Sequence, residues 1–287
     1  MQDKEDEMKK QDVISIVLIL VCVAVLGILA APKEEVLSVS QSVTEQYIDF
    51  GNLADTGNLT ALSIGVWIYP TSWDAVESTN NPGFIVSQYH YGSTGSEYYG
   101  YGLGIEDDVY TTKGIRFNAG FTVTRGLWKV DNCIPTLNTW YYVEVQWDGT
   151  TNAPRIVVNG VEQTVTPILS PAGVFQNSGT SYPLLLGSLY ENTHSYWMTF
   201  QGRYENVIIW NYQRSVADAQ DAYNSRSAQM ASYGAVFHPV LIGASGLQDY
   251  DGVALAAGNQ ITDSITGARG TPHGSPVGLG DTILTWR

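Results

Sequence analysis

Glu144 and Asp148, four residues apart in WYYVEVQWDG, are the nearest this sequence comes to an acid–base carboxylate pair. Retaining sugar hydrolysis needs two carboxyl groups about 5–5.5 Å apart. Asp148 falls in the Asp-Gly turn that closes the strand, so the pair does not form and Glu144 reads as a solvent-facing strand residue. His90, His194, His238 and His273 are far apart and lack zinc-site spacing. Two cysteines, Cys22 and Cys133, are too few for a disulfide framework, and Cys133 has no histidine near it to make it a nucleophile. Neither a G-x-S-x-G elbow nor a G-x-x-x-x-G-K phosphate loop occurs. The sequence is therefore predicted to be non-catalytic.

A binding surface has better candidates. Gly100, Gly102 and Gly104 alternate in YYGYGLGIE, which puts them on one strand face with Tyr99, Tyr101, Leu103 and Ile105 on the other. Such a row leaves a side-chain-free strip that a ligand can approach, or it makes room for large residues of a neighbouring element. His90, Tyr91, Tyr98 and, farther off, Trp128 supply rings suited to sugar C–H groups. Asp107 and Asp108 after Glu106, and Asp249 and Asp251, are oxygen donors of the kind calcium takes. The same Asp- and Gly-rich runs also make plain turns. Asn58-Leu59-Thr60 is a glycosylation sequon, which places Asn58 at the surface.

The elements that would position these residues are strands. In 61–69 (ALSIGVWIY) Leu62, Ile64, Val66 and Ile68 share one face, and in 140–147 Tyr141, Val143, Val145 and Trp147 do the same. Asn159-Gly160 between RIVV and VEQTV predicts a two-residue hairpin, because both turn positions need positive φ. Residues 83–89, 98–105, 114–121, 184–187 and 204–211 complete at least eight strands, and one helix follows Ser215, with Asp218 at its third position. Short strands with regular turns predict an all-β, two-sheet antiparallel sandwich with one short helix.

Taken in order, YIDFGN (47–52), LTALSIGVWIYPTS (59–72), GYGLGI (100–105), NTWYYVEVQWDG (138–149), IVVNGVE (156–162), PLLLGS (183–188) and FQGRYENVIIWNYQRSVADAQDAY (200–223) resemble the concanavalin A-like lectin/glucanase superfamily. The likeness is to its laminin-G-like jelly rolls and covers about 180 residues. It implies a jelly roll over 47–233 that binds a glycan or a protein partner, with calcium as a family possibility. Glu205-Asn206 stands where the family has an acidic pair, so no calcium role is carried to it. Residues 234–287 resemble the apolar-strand, turn and Gly-rich segment that often opens such folds, and are predicted to add edge strands to the same sandwich.

Before the jelly roll, Val13–Ala31 is an uncharged run of 19 residues, about 28 Å as a helix, close to a ~30 Å hydrocarbon core. It is longer than the ~7–15 apolar residues of a signal peptide. Lys4, Lys9 and Lys10 precede it and Lys33 follows, so the lysine bias puts residues 1–12 in the cytoplasm and the rest outside. The predicted organisation is a cytoplasmic tail (1–12), a single-pass transmembrane helix (13–31), a tether (32–46), the jelly roll and the extension 234–287. Of the 14 basic and 28 acidic residues, three lysines and five acids precede Val13, which leaves a net −12 on the outer part. That charge repels phosphate backbones and excludes nucleic acid as a partner. The composite expectation is a membrane-anchored, cell-surface adhesion protein of lectin type. The alternatives are a homo-oligomeric structural subunit of a virion or pilus-like array, assembled through its N-terminal helix, and a glycoside hydrolase.

Overall fold

The Asn159-Gly160 turn forms as the dipeptide requires: both residues take positive φ, 51° and 76°, and Asn159 Oδ1 accepts the Tyr142 amide at 2.9 Å. The computed structural model describes residues 36–39, 47–73, 82–91, 97–107, 112–191 and 195–225, with the backbones of six further strands between 235 and 279. Residues 13–31, predicted to cross a membrane, lie outside the described residues. Among the described residues no helix is long and apolar enough to cross one.

The strands are β1 (Val36–Val39), β2 (Tyr47–Asp49), β3 (Leu62–Pro70), β4 (Gly83–Tyr91), β5 (Tyr98–Glu106), β6 (Gly114–Ala119) and β7 (Gly126–Val130). They continue with β8 (Tyr141–Trp147), β9 (Arg155–Val158), β10 (Val161–Glu162), β11 (Thr166–Leu169), β12 (Leu185–Leu186), β13 (Leu189–Glu191), β14 (Ser195–Trp197) and β15 (Gly202–Trp210). Last come β16 (Ala235–Phe237), β17 (Pro239–Ile242), β18 (Asp251–Ala254), β19 (Gln260–Asp263), β20 (Arg269–His273) and β21 (Val277–Leu279). Helix α1 is the single turn Ala54–Gly57 and α2 spans Val216–Ser225. One sheet runs β10-β9-β8-β3-β15-β1-β21-β18, the other β11-β7-β6-β5-β4-β12-β2-β20-β19-β17. Between the named strands pairing is antiparallel apart from β13 on β4, and a single parallel bridge joins Phe84 to Thr199. Val36–Val39, inside the stretch predicted as a tether, is a strand of the first sheet, flanked by β15 and β21.

The alternating apolar faces meet between the sheets, where Ile64, Val66, Val143 and Val145 face Val86, Leu103, Ile115 and Phe117 in one core. Aromatic rings fill its middle. Trp147 lies edge-on to Phe175 at 4.8 Å between ring centres, and Trp128 stacks on Phe117 at 5.9 Å. The register of β15 on β3 breaks after Glu205, so Asn206 and Val207 face the single Val66. Asn206 absorbs this bulge in the left-handed region, φ 49°, which asparagine tolerates better than most residues.

The outer face of the first sheet is covered by α2. Ala219 and Ala222 pack on Trp67, Tyr142 and Val157, and Tyr223 stacks on Trp67. This cover overturns the solvent-facing reading of Glu144, which is fully buried. Its carboxylate takes a 2.6 Å ion pair from Arg214, a 2.6 Å hydrogen bond from the Tyr142 hydroxyl and a 2.8 Å bond from Gln146. Arg214 also lies over the Trp210 ring, 4.1 Å from its centre, and donates to the Asp218 carbonyl. Burial pushes the Glu144 carboxyl above its ordinary range, against the opposite pull of Arg214, Tyr142 and Gln146.

Helix α2 starts at a reciprocal cap: Ser215 Oγ accepts the Asp218 amide at 3.2 Å, and Asp218 Oδ2 accepts the Ser215 amide at 2.8 Å. Ser215→Ala is expected to lower stability by about 1 kcal/mol. The check is a urea titration of both proteins; an unchanged midpoint would mean that tertiary packing alone sets the start of the helix.

Candidate functional site

Strands β4 and β5 pair in register, so Gln88 faces Tyr101 and His90 faces Tyr99. Beyond the core the same sheet face ends in rings. The His90 imidazole stacks on Tyr182, 4.0 Å between centres and 6° from parallel. Tyr99 and Tyr190 each lie 6.2 Å from His90, and Tyr99 lies 5.6 Å from Tyr182. His90 is buried, while Tyr99, Tyr182 and Tyr190 are half-buried and Glu97 is exposed. Burial raises the Tyr182 hydroxyl above its ordinary value, and Tyr99, Glu97 and Tyr190 add to the effect, so it stays protonated as donor and acceptor.

Tyr182 belongs to no strand, and buried polar groups hold its segment. Thr56 Oγ1 donates to Gln88 Oε1 at 2.6 Å, and Gln88 Nε2 donates to the carbonyls of Leu53 and Tyr182 at 3.1 and 3.2 Å. The Gly179 amide bonds the Gly57 carbonyl at 2.8 Å, an approach so close that a Cβ on Gly57 would overlap the Gly179 oxygen. Helix α1, the end of β4 and residues 179–182 are thereby tied together beneath the rings.

On the opposite face of β5 the glycine row is not an open strip. A Cβ at Gly102 would meet the Phe84 ring at 2.5 Å, and one at Gly104 would lie 2.9 Å from the Gly83 carbonyl. Gly100 sits at φ 71°, with the Gln88 carbonyl where its Cβ would be. The glycines admit the neighbouring strand and its side chains. Tyr98 lies on this face, packed with Phe84, Tyr89, Leu189 and Met198 under the Arg125 guanidinium, and is separated from His90 by the sheet. Burial pushes the Tyr89 hydroxyl up to about 12, against the pull of Arg125. Beside it Arg116 pairs with buried Glu106 at 2.8 Å and bonds Asn118.

Trp128 is 1% exposed in the core and presents no ring to a ligand. The Tyr91 side chain lies outside the described residues. Asn58 is exposed, as its sequon requires. Of the calcium candidates, Asp107 follows β5 half-buried, while Asp108, Asp249 and the Asp251 side chain lie outside the described residues. Glu106 is committed to Arg116, and no three His, Cys, Asp or Glu side chains come together among the described residues. The two carboxylates of WYYVEVQWDG are committed too: Glu144 to Arg214, and Asp148 to Thr150 and Asn152. Burial pushes Asp148 up, but those hydrogen bonds together hold it below the ordinary carboxylate range.

Two antiparallel sheets around one aromatic core, one helix laid on the outer face and rings gathered at a strand end define a lectin-type jelly roll. The sequence profile of the concanavalin A-like lectin/glucanases superfamily, in its laminin-G form, matches residues 42–220, and the chain belongs to this superfamily. No curated protein sequence matches the chain. Among solved structures it is similar to a putative carbohydrate binding protein from Bacteroides ovatus, at 18% identity and a TM-score of 0.54, over 86% of this chain. It spans only 62% of that protein's length. It is also similar to the carbohydrate-binding module CBM40 of the Ruminococcus gnavus IT-sialidase, bound to α2,3-sialyllactose, at 12% identity and a TM-score of 0.48, over 67% of this chain and 98% of that one. A pentraxin from Limulus polyphemus matches at 10% identity and a TM-score of 0.46, over 66% of this chain and 82% of that one. At these identities the likeness is one of fold.

Proposed function

We propose that this protein is a non-catalytic, glycan-binding surface protein, anchored through residues 13–31 with residues 32–287 outside the cell. The observation that carries the binding role is the ring cluster of Tyr99, Tyr182 and Tyr190 around His90, with Glu97 at its margin. Half-exposed tyrosines offer flat apolar faces to sugar C–H groups and hydroxyls to sugar hydroxyls, and a carboxylate accepts from paired sugar hydroxyls. The commitment of Glu144 and Asp148 to structural hydrogen bonds supports the absence of catalysis. The membrane reading rests on the uncharged run and the lysine bias.

The test is a glycan array probed with the purified protein and with Tyr182→Ala. Binding to a defined set of glycans is expected, with a loss of at least about tenfold, or 1.4 kcal/mol, in the variant. An array without hits, or hits unchanged in Tyr182→Ala, would sink the assignment to this cluster. Protease treatment of intact cells tests the anchor: residues 47–287 should be released or cut, and their protection would overturn the outward topology.

A further inference from the structure

Resting on the glycan-binding reading, we infer that the ring cluster selects neutral or amine-bearing sugars and excludes glycans that carry carboxylate or sulfate. Among the described residues, parts of 53–58, 86–90, 97–103 and 176–190 meet there, and in sequence these belong to the stretches 53–58, 86–103 and 176–199. Together they contain Asp55, Glu97 and Glu191 and not one lysine or arginine. Glu97 is exposed two residues before Tyr99, and with burial and Tyr99 it is among the causes that raise the Tyr182 hydroxyl. Asp55 is exposed on α1, and β13 places Glu191 next to Tyr190 in sequence.

Among the described residues, the cations on or beside this sheet lie elsewhere. Arg125 lies over Tyr98 on the opposite face, and Arg116 and Lys129 are paired with Glu106 and Asp131. An anionic sugar at the rings would meet like charge on a chain of net −14, with no guanidinium or ammonium in the adjoining segments to accept it. A sugar amine would meet a carboxylate and the faces of aromatic rings, both of which favour a cation. Discrimination here comes from repulsion of the wrong ligand as much as from attraction of the right one.

The experiment compares the full protein with Glu97→Gln on matched glycan pairs that differ only in a sulfate or a sialic acid. Chitooligosaccharides with and without N-acetyl groups form a third pair. Among the glycans bound, the neutral member should bind at least about tenfold more tightly than its acidic partner in ~10 mM salt. The gap should narrow toward 0.5 M salt, as screening requires, and in Glu97→Gln. The free-amine chitooligosaccharide should bind more tightly than the acetylated one. Equal or tighter binding of the acidic members overturns the charge selectivity and leaves the glycan reading standing. An array with no hit of any kind removes both. A gap that persists in Glu97→Gln and at high salt would overturn the electrostatic origin.

Discussion

Arg214→Met is expected to remove about 3–5 kcal/mol of stability, the range for breaking a buried ion pair by deleting one partner. The methionine fills much of the volume but leaves the Glu144 carboxylate under α2 without its cation. Against a total of about 5–15 kcal/mol for a domain, that loss leaves little reserve. The deficit should depend on pH in a set direction. Burial already lifts the Glu144 carboxyl, and removing Arg214, the strongest opposing influence, lifts it further. A carboxyl whose folded value is raised contributes stability that is fully present below its unfolded value, about 4.3, and is lost as pH rises through the folded one. The gap between variant and parent should therefore be smallest near pH 4 and widen toward neutrality. Urea titrations across pH 4–8 read this directly. Glu144→Gln combined with Arg214→Met should recover part of the loss, because the orphaned charge goes with its partner. A deficit that is flat with pH, or widest in acid, would show that the Glu144 charge is not what Arg214 holds in place.

The second large effect is expected from one methyl group. Gly100→Ala asks an L-residue to adopt φ 71° and drives its Cβ into the Gln88 carbonyl across the β4–β5 ladder. The left-handed conformation costs about 1–2 kcal/mol and overpacking about 1–3, so a total near 2–5 kcal/mol is expected. Relief would come from separating β4 from β5 where Gln88 holds the Tyr182 segment. Glycan binding should then fall along with stability. Gly179→Ala is the informative companion: its φ is 57°, but a Cβ there would meet nothing closer than 3.8 Å. It should show the conformational cost alone. Equal losses in the two variants would mean that the Gln88 contact is slack.

The sandwich was legible because strand alternation and turn chemistry are local. Leu62 to Ile68, the Asn159-Gly160 hairpin and the Ser215–Asp218 cap each lie within a few residues of what they determine. Exposure was less legible. Alternation tells which residues share a face and not whether something covers it, which is why Glu144, on a mixed face, read as solvated until α2 was laid across it. The glycine row left two readings open, an approachable strip or room for large neighbours, and Phe84, eighteen residues upstream, decides for the second by occupying the strip over Gly102. The candidate site was half visible. His90 stood out as an aromatic near the glycines, yet Tyr182 and Tyr190 reach it from 92 and 100 residues farther along the chain. Their flanking sequence carries no local sign of that meeting. The parallel pairing of β13 on β4 brings Tyr190 to His90, and the Gln88 bond to the Tyr182 carbonyl brings Tyr182.

The entry of the chain into the first sheet has a mechanical meaning. Strand β1 is flanked on both sides, with three register pairs to β15 and three to β21. Tension on the segment before residue 36, applied along the strand, shears these pairs together instead of peeling them singly as at a sheet edge. Resistance to a brief pull is set by the barrier to unfolding and not by equilibrium stability. β21, near the far end of the chain, supplies half of those pairs. Removing it would turn β1 into an edge strand, so the last residues of the fold help determine how firmly the first ones are held.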